Sequence, residues 1–207
     1  TLIAIGDAYE PLVAKLKAQI AKIKVGNGLH EGVHMGPVIS ASHKAKILSL
    51  IELGIKEGAT LAIDGRDIEV EGHPNGHWVG PSLFTDVNPT MTIAQEEIFG
   101  PVMCILRAKD LDEALAILDS HPLANAASLY TANGGLAREF VKRAPAAMVG
   151  INVGVSAPMA FFTFGGSKGS FFGDLKAHGR DSIAFYTNNK TAIYRWFSEE
   201  GEANYAR

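Results

Sequence analysis

Apolar residues recur at helical spacing over Leu12, Val13, Leu16, Ile20 and Ile23, with Lys15, Lys17 and Lys22 on the opposite face, which predicts an amphipathic helix. Asp7 stands at its start with Glu10 three residues on, a capping-box spacing, and Gly26 and Gly28 close it. The short β-branched run before it, TLIAI at 1–5, predicts a strand. A second helix has the stripe Ile47, Leu48, Ile51 and Ile55, with Ser40 or Ser42 as cap and an end near Gly58. LAIDGRDIEV places Asp-Gly between two apolar runs, which predicts a hairpin over 60–70. NGHWVGPSLFTDV reads as a turn and then a strand. PVMCILR at 101–107 is almost continuously apolar, the mark of a strand buried on both faces. Asp110 and Glu113 form another capping box, opening a helix through Ile117 and Leu118 that Pro122 ends. Strands at 127–131 (ASLYT) and 148–152 (MVGIN) flank a helix over 135–144 carrying Leu136, Phe140 and Val141. This alternation predicts an α/β fold with a parallel sheet.

After Asn152 the texture changes. Residues 153–175 are rich in Gly, Phe and Ser without a period, and a loop that long is usually functional or disordered. Phe161, Phe162, Phe164, Phe171 and Phe172 argue against disorder. SIAFYTNNKTAIYRWF splits into two strand-like halves around Asn188-Asn189 and reads as an antiparallel extension. From Ser198 the chain is acidic and reads as a frayed tail. The expected division is thus 1–181, 182–197 and 198–207.

Composition changes this picture little. Of 207 residues 47% are hydrophobic and 20% charged, an ordinary globular mixture. The net charge is −3 without a basic run, which argues against nucleic acid or an anionic membrane as partner. No apolar stretch approaches the roughly 18 residues of a membrane span, and TLIAIGDAYEP lacks the basic leader and cleavage site of a signal peptide. One cysteine, Cys104, precludes an intrachain disulfide and fits a reducing compartment, the cytoplasm or alternatively the mitochondrial matrix.

Three local patterns lack the context their chemistry needs. HEGVH at 30–34 satisfies H-E-x-x-H, but Gly28, Gly32 and Gly36-Pro37 surround it. Without a helix, His30 and His34 are not aimed at one metal ion. GGSKG at 165–169 satisfies G-x-S-x-G, yet Gly169 and Gly173 prevent the helix that must follow a nucleophilic Ser167. Cys104 sits mid-strand, where burial raises a thiol's pKa and removes its reach. Neither a G-x-G-x-x-G fingerprint nor a Walker-type phosphate loop is present.

QEEIFGP at 95–101 pairs two carboxylates with an aromatic ring and a Gly-Pro turn, directly before the buried strand. Glu96 and Glu97 read equally as a solvated pair or as a site for a ligand with hydroxyls and a flat ring. A carboxylate accepts two ribose hydroxyl hydrogen bonds, and Phe99 can pack on a heterocycle. Together with GPVIS (36–40), DGRD (64–67), GPSLFTDVNPTM (80–91), INVGV (151–155), FGGSKGSFFGD (164–174) and FYTNNK (185–190), EEIFGP resembles the aldehyde dehydrogenase superfamily over essentially the whole chain. PMAFFTFGGSKGSFFGD with AHGRDSIAFYT most resembles the CoA-acylating methylmalonate-semialdehyde dehydrogenase branch. Thr163 and Ser167 depart from that branch, which carries an aromatic or proline and usually tryptophan there.

The resemblance implies the parallel-sheet catalytic domain of the aldehyde dehydrogenase fold, with residues 182–197 as an antiparallel extension that assembles a homo-oligomer. It places Glu97 on the nicotinamide ribose and Phe99 against the nicotinamide ring of NAD. It places Phe164 and its neighbour Phe162 on the aldehyde tunnel, with Asn152 at the strand end feeding that loop. It also implies a nucleophilic cysteine and a dinucleotide-binding domain ahead of Thr1, so that this chain is the C-terminal half, carries no catalytic residue and no metal, and is inactive alone. The parent would oxidise a semialdehyde to an acyl-CoA through a cysteine thioester, with CoA as co-substrate. The alternatives are a hydrolytic NAD(P)-dependent enzyme with an upstream general-base glutamate, or a non-catalytic assembly fragment.

Overall fold

The computed structural model describes residues 1–197 and 203–204, in two compact units. The first comprises Thr1–Pro122 and Thr131–Pro145, the second Leu123–Tyr130 and Ala146–Arg207.

In the first unit β1 (Leu2–Ile5) leads through a 3-10 turn into α1 (Tyr9–Ile20), followed by α2 (Ala41–Lys56), β2 (Thr60–Ile63), β3 (Ser82–Thr85), α3 (Thr92–Gln95), β4 (Val102–Ala108), α4 (Leu111–Ser120) and α5 (Gly134–Arg143). The sheet runs β1-β4-β3-β2. β4 is parallel to β1 and β3, while β2 pairs antiparallel with β3, so the sheet is mixed rather than wholly parallel. Both faces are covered, which is why β4 reads as a nearly continuous apolar run, broken only by Arg107. Phe84, Cys104 and Leu106 face α2 and α3 in one core with Ile47, Ile51 and Ile93. Leu83 and Ile105 face the other way, packing with Ala4 and with Tyr9 and Val13 of α1. On α4 and α5, Leu115 and Phe140 are buried, and Arg143 pairs with Asp112 at 2.7 Å.

Two caps form as the sequence predicts. Ser40 Oγ accepts from the His43 amide at the start of α2, and Asp110 Oδ1 from the Glu113 amide at the start of α4. Three expectations are corrected. Asp7 is not a cap: Gly6, at φ +56°, turns the chain into the 3-10 turn Gly6–Ala8, and α1 starts behind Ala8 without a side-chain cap, ending at Ile20 rather than Ile23. No hairpin forms over 60–70. β2 pairs with β3, and the Asp64-Gly65 turn is fixed by the Gly65 amide on Ser82 Oγ and the Gly80 amide on the Gly65 carbonyl. Residues 182–186 are helical, not a strand, and residues 187–195 form no strand, so the two strands expected around Asn188-Asn189 do not pair.

In the second unit β5 (Leu123–Ala124) pairs antiparallel with β8 (Ser167–Lys168), and β6 (Ala126–Leu129) parallel with β7 (Met148–Ile151). α6 (Gly179–Tyr186) takes up Ile183, Phe185 and Tyr186, which the sequence assigns to a strand. Asp181 lies in its first turn, where an acidic group favours a helix, and Ser182 Oγ donates to the Gly179 carbonyl. β9 (Trp196–Phe197) pairs antiparallel with β10 (Ala203–Asn204). The rest of the tail expected from Ser198, residues 198–202 and 205–207, lies outside the described residues.

Candidate active site

The EEIFGP segment is held by its neighbours before any ligand is considered. The Glu57 carboxylate accepts from the Thr92 amide at 2.8 Å and the Thr92 hydroxyl at 2.6 Å, fixing the start of α3. Gln95 Nε2 donates to the Pro89 carbonyl and His121 Nε2 to the Gln95 carbonyl. Ile98 is buried in the core. Beyond it, the Ser82 amide bonds the Pro101 carbonyl and ties the segment to β3.

Glu97 and Phe99 project from this anchored segment. Glu97 is exposed. Phe99 is 76% exposed and has φ +58°, a left-handed backbone that a bulky residue adopts only when its surroundings enforce it. Its carbonyl accepts from His43 Nε2 at 2.7 Å, and the two rings meet edge-on with centroids 6.1 Å apart. An exposed carboxylate two residues from an exposed ring is chemically suited to a ribose diol and a flat heterocycle, so these residues fit a nicotinamide nucleotide.

The second unit carries the other predicted residues. Asn152 directly follows β7 with φ +57°, its amide donating to the Leu129 carbonyl at 2.9 Å. The chain beyond it is tied to β6 and β5. Ser156 Oγ lies 2.9 Å from Ser128 Oγ, and Ser170 Oγ accepts from the Ala124 amide. Phe162 stacks obliquely on Phe161 with centroids 4.7 Å apart. Phe164 exchanges two backbone hydrogen bonds with Ala177 and faces the His178 ring at 5.7 Å. Phe162 and Phe164 thus share an apolar loop that follows Asn152.

Residues 30–34 hold only a turn at 31–32 and no helix, and His34 Nδ1 accepts from the Lys24 amide. Ser167 lies in the two-residue β8, with a turn rather than a helix after it. Cys104 is 2% exposed, and burial pushes its thiol up to about 11, so it is protonated and inaccessible near neutrality. In DGRD, Arg66 donates to Asp64 and pairs with Glu52, and its guanidinium holds the Asp64 carboxyl below its ordinary value. His43 is the residue the sequence pattern missed. It lies 56 positions from Phe99, and nothing local marks it beyond its place in the first turn of α2.

The first unit is thus an α/β body with both sheet faces covered, carrying an exposed acid and an exposed aromatic on the segment that enters its buried strand β4. The chain belongs to the aldehyde dehydrogenase family, whose family model matches residues 1–192. It is 49% identical over 195 residues to a malonate-semialdehyde dehydrogenase of Halalkalibacterium halodurans, covering 94% of this chain and 40% of that protein. A methylmalonate-semialdehyde dehydrogenase from Oceanimonas doudoroffii superposes with TM-score 0.90 at 40% identity, covering 96% of this chain and 41% of the other. A Mycobacterium tuberculosis aldehyde dehydrogenase solved with NAD+ gives TM-score 0.81 at 31% identity over 90% of this chain and 37% of that one. The chain thus spans about two fifths of the length of these relatives.

Proposed function

We propose that this chain is the C-terminal catalytic-domain portion of an NAD-dependent, CoA-acylating malonate- or methylmalonate-semialdehyde dehydrogenase. The observation that carries the reading is the pair Glu97 and Phe99, displayed on an anchored loop with Phe99 in a left-handed backbone. Glu97 accepts the hydroxyls of the nicotinamide ribose, and Phe99 supports the ring. Bound NAD+ supplies the hydride acceptor. Asn152 orients the head of the substrate loop, and Phe162 and Phe164 shield the aldehyde from water. The nucleophile comes from outside residues 1–207, because Cys104 is the chain's one cysteine and is buried as the thiol. NAD+ held by Glu97 and Phe99 would accept the hydride as a cysteine-bound aldehyde becomes a thioester, and CoA would take the acyl group, its thiol proton passing to the released cysteine. On this reading the 207-residue chain alone has no turnover, works in the cytoplasm within its parent, and contributes residues 182–197 to a homo-oligomer.

Glu97→Gln in the full-length protein tests the reading. Losing a charge-assisted pair of hydrogen bonds costs on the order of 1.5–3 kcal/mol, which is about a 10- to 150-fold weaker NAD affinity or slower hydride transfer. Affinity and rate unchanged within a factor of about two would refute the assignment. Product analysis separates the hydrolytic alternative: acyl-CoA formed only with CoA present supports acylation, and free acid formed without it supports hydrolysis.

A further inference from the structure

The loop that displays Glu97 and Phe99 is gripped by one face of one helix. His43 and Ile47 lie four residues apart, which puts them on the same side of α2. His43 Nε2 is 2.7 Å from the Phe99 carbonyl, and because a carbonyl only accepts, the ring donates. One residue further, Gly100 meets Ile47 so closely that a Cβ there would lie 2.6 Å from Ile47 Cδ1. Ile47 is wholly buried, so its side chain has little room to yield. The position of His43 is fixed in turn by the cap, since its own amide donates to Ser40 Oγ at 3.1 Å.

Phe99 is the residue between these contacts, and it is the one in the left-handed region, at φ +58°. An isolated phenylalanine would leave that conformation. Its ring, 76% exposed, has little core packing to hold it there. The grip therefore falls on the carbonyl, where His43 bonds it, and on the edge-on contact of the two rings at 6.1 Å.

We propose that His43 is a positioning residue for the nicotinamide half of the cofactor: it holds the Phe99 backbone in its left-handed turn, so that the ring of Phe99 and the carboxylate of Glu97 face the ligand together. The inference rests on the reading of Glu97 and Phe99 given above and extends it to a residue that does not itself touch the cofactor. Its distinguishing property is that the Nε2–H donor is what counts. Glutamine carries an amide N–H the same number of bonds from Cα, so it can replace histidine here, whereas alanine cannot.

The test uses the full-length protein with the substitutions His43→Ala, His43→Gln and Glu97→Ala. Amide hydrogen exchange over residues 98–100, measured without cofactor, reports the grip directly. Calorimetric titration with NAD+ reports its consequence. His43→Ala is expected to speed exchange at 98–100 and weaken NAD+ binding about three- to tenfold, the worth of one ordinary hydrogen bond, and His43→Gln to restore both. Unchanged exchange at 98–100 in His43→Ala overturns the grip. Faster exchange with unchanged NAD+ affinity, while Glu97→Ala weakens binding, overturns the positioning role and leaves the cofactor reading intact. Unchanged affinity in Glu97→Ala overturns the cofactor reading, and the inference with it.

Discussion

Gly100 and Ile47 share a space that admits no further atom: a Cβ on Gly100 would fall 2.6 Å from Ile47 Cδ1 and 2.8 Å from Cγ1. Ile47 has little room to yield, being fully buried among Ile51, Phe84 and their neighbours. Gly100→Ala is therefore expected to destabilise the fold by about 1–3 kcal/mol, the usual cost of overpacking a core. For a chain of this length each kcal/mol lowers Tm by about 2–4 °C. Ile47→Ala removes both clashing atoms, so in that background Gly100→Ala is expected to cost less. A double-mutant cycle by thermal denaturation checks the coupling, and additive costs would place the clash elsewhere.

Asp64 gives the pH dependence of one surface cluster. The Arg66 guanidinium holds its carboxyl below the ordinary carboxylate range. A carboxyl depressed in the folded state adds stability above its unfolded pKa of about 3.9, and that stability is lost as pH falls through the folded value. Arg66→Ala should lower Tm at pH 7, with the difference from the parent shrinking as the acid is titrated. The side chains are 24% and 38% exposed, so the loss stays below about 1 kcal/mol. A Tm difference that is constant from neutral to strongly acidic pH would show that the Arg66 stem, not its charge, matters.

The regular elements were legible in the sequence wherever a local rule sufficed. Ser40 and Asp110 cap helices as read, because a cap is decided within four residues. β4 was readable because a strand covered on both faces is apolar along nearly its whole length. The hairpin expectation at 60–70 failed because the partner of β2 is β3, about twenty residues on, a choice no turn dipeptide encodes. The stretch at 182–186 carries residues that suit either period, and its helix is decided by Asp181, Ser182 and the turn at His178 (φ +70°). In the candidate site, Glu97 and Phe99 were visible as a composition. The left-handed backbone of Phe99 and the bond from His43 were not, since both arise from tertiary contact across 56 residues.

Cys104 should behave as an inert core thiol. Its Sγ approaches the Ile93 carbonyl at 3.4 Å, and burial raises the thiol to about 11. At pH 8 an ordinary cysteine has a substantial thiolate fraction, since its pKa is about 8.5. Iodoacetamide labelling of the folded protein at pH 8 is therefore expected to be orders of magnitude slower than in denaturant. Labelling at the unfolded rate would place Cys104 at the surface.

Asp110 offers the plainest local test. It accepts the Glu113 amide at 2.9 Å, while Glu113 Oε2 accepts the Lys109 amide at 2.6 Å. Asp110→Ala should cost about 1 kcal/mol and Asp110→Asn much less, since asparagine caps as well as aspartate. Urea denaturation of both variants checks this, and equal losses would assign the effect to charge rather than to the cap.

The segment 182–197 displays a series of large apolar side chains to solvent. Ile183, Phe185 and Tyr186 of α6 are exposed, as are Ile193, Tyr194 and Trp196, and the rings of Tyr194 and Trp196 stack within 8° of parallel. Exposed apolar side chains of this kind favour association, and among the described residues β9 and β10 pair only with each other, as a two-stranded ribbon that a second copy can extend. The protein is therefore expected to self-associate through this segment. Light scattering of the 207-residue chain, of a version ending at Asp181, and of Tyr194→Ser/Trp196→Ser decides the matter. The version ending at Asp181 keeps the carboxylate that accepts the Lys176 amide at 3.0 Å, so it removes the apolar surface while sparing that bond. The double substitution leaves the backbone complete. Association that falls in both variants supports the segment as the contact. A monomeric parent chain at tens of micromolar, a concentration at which exposed apolar surface ordinarily aggregates, or association equal in all three, would exclude it.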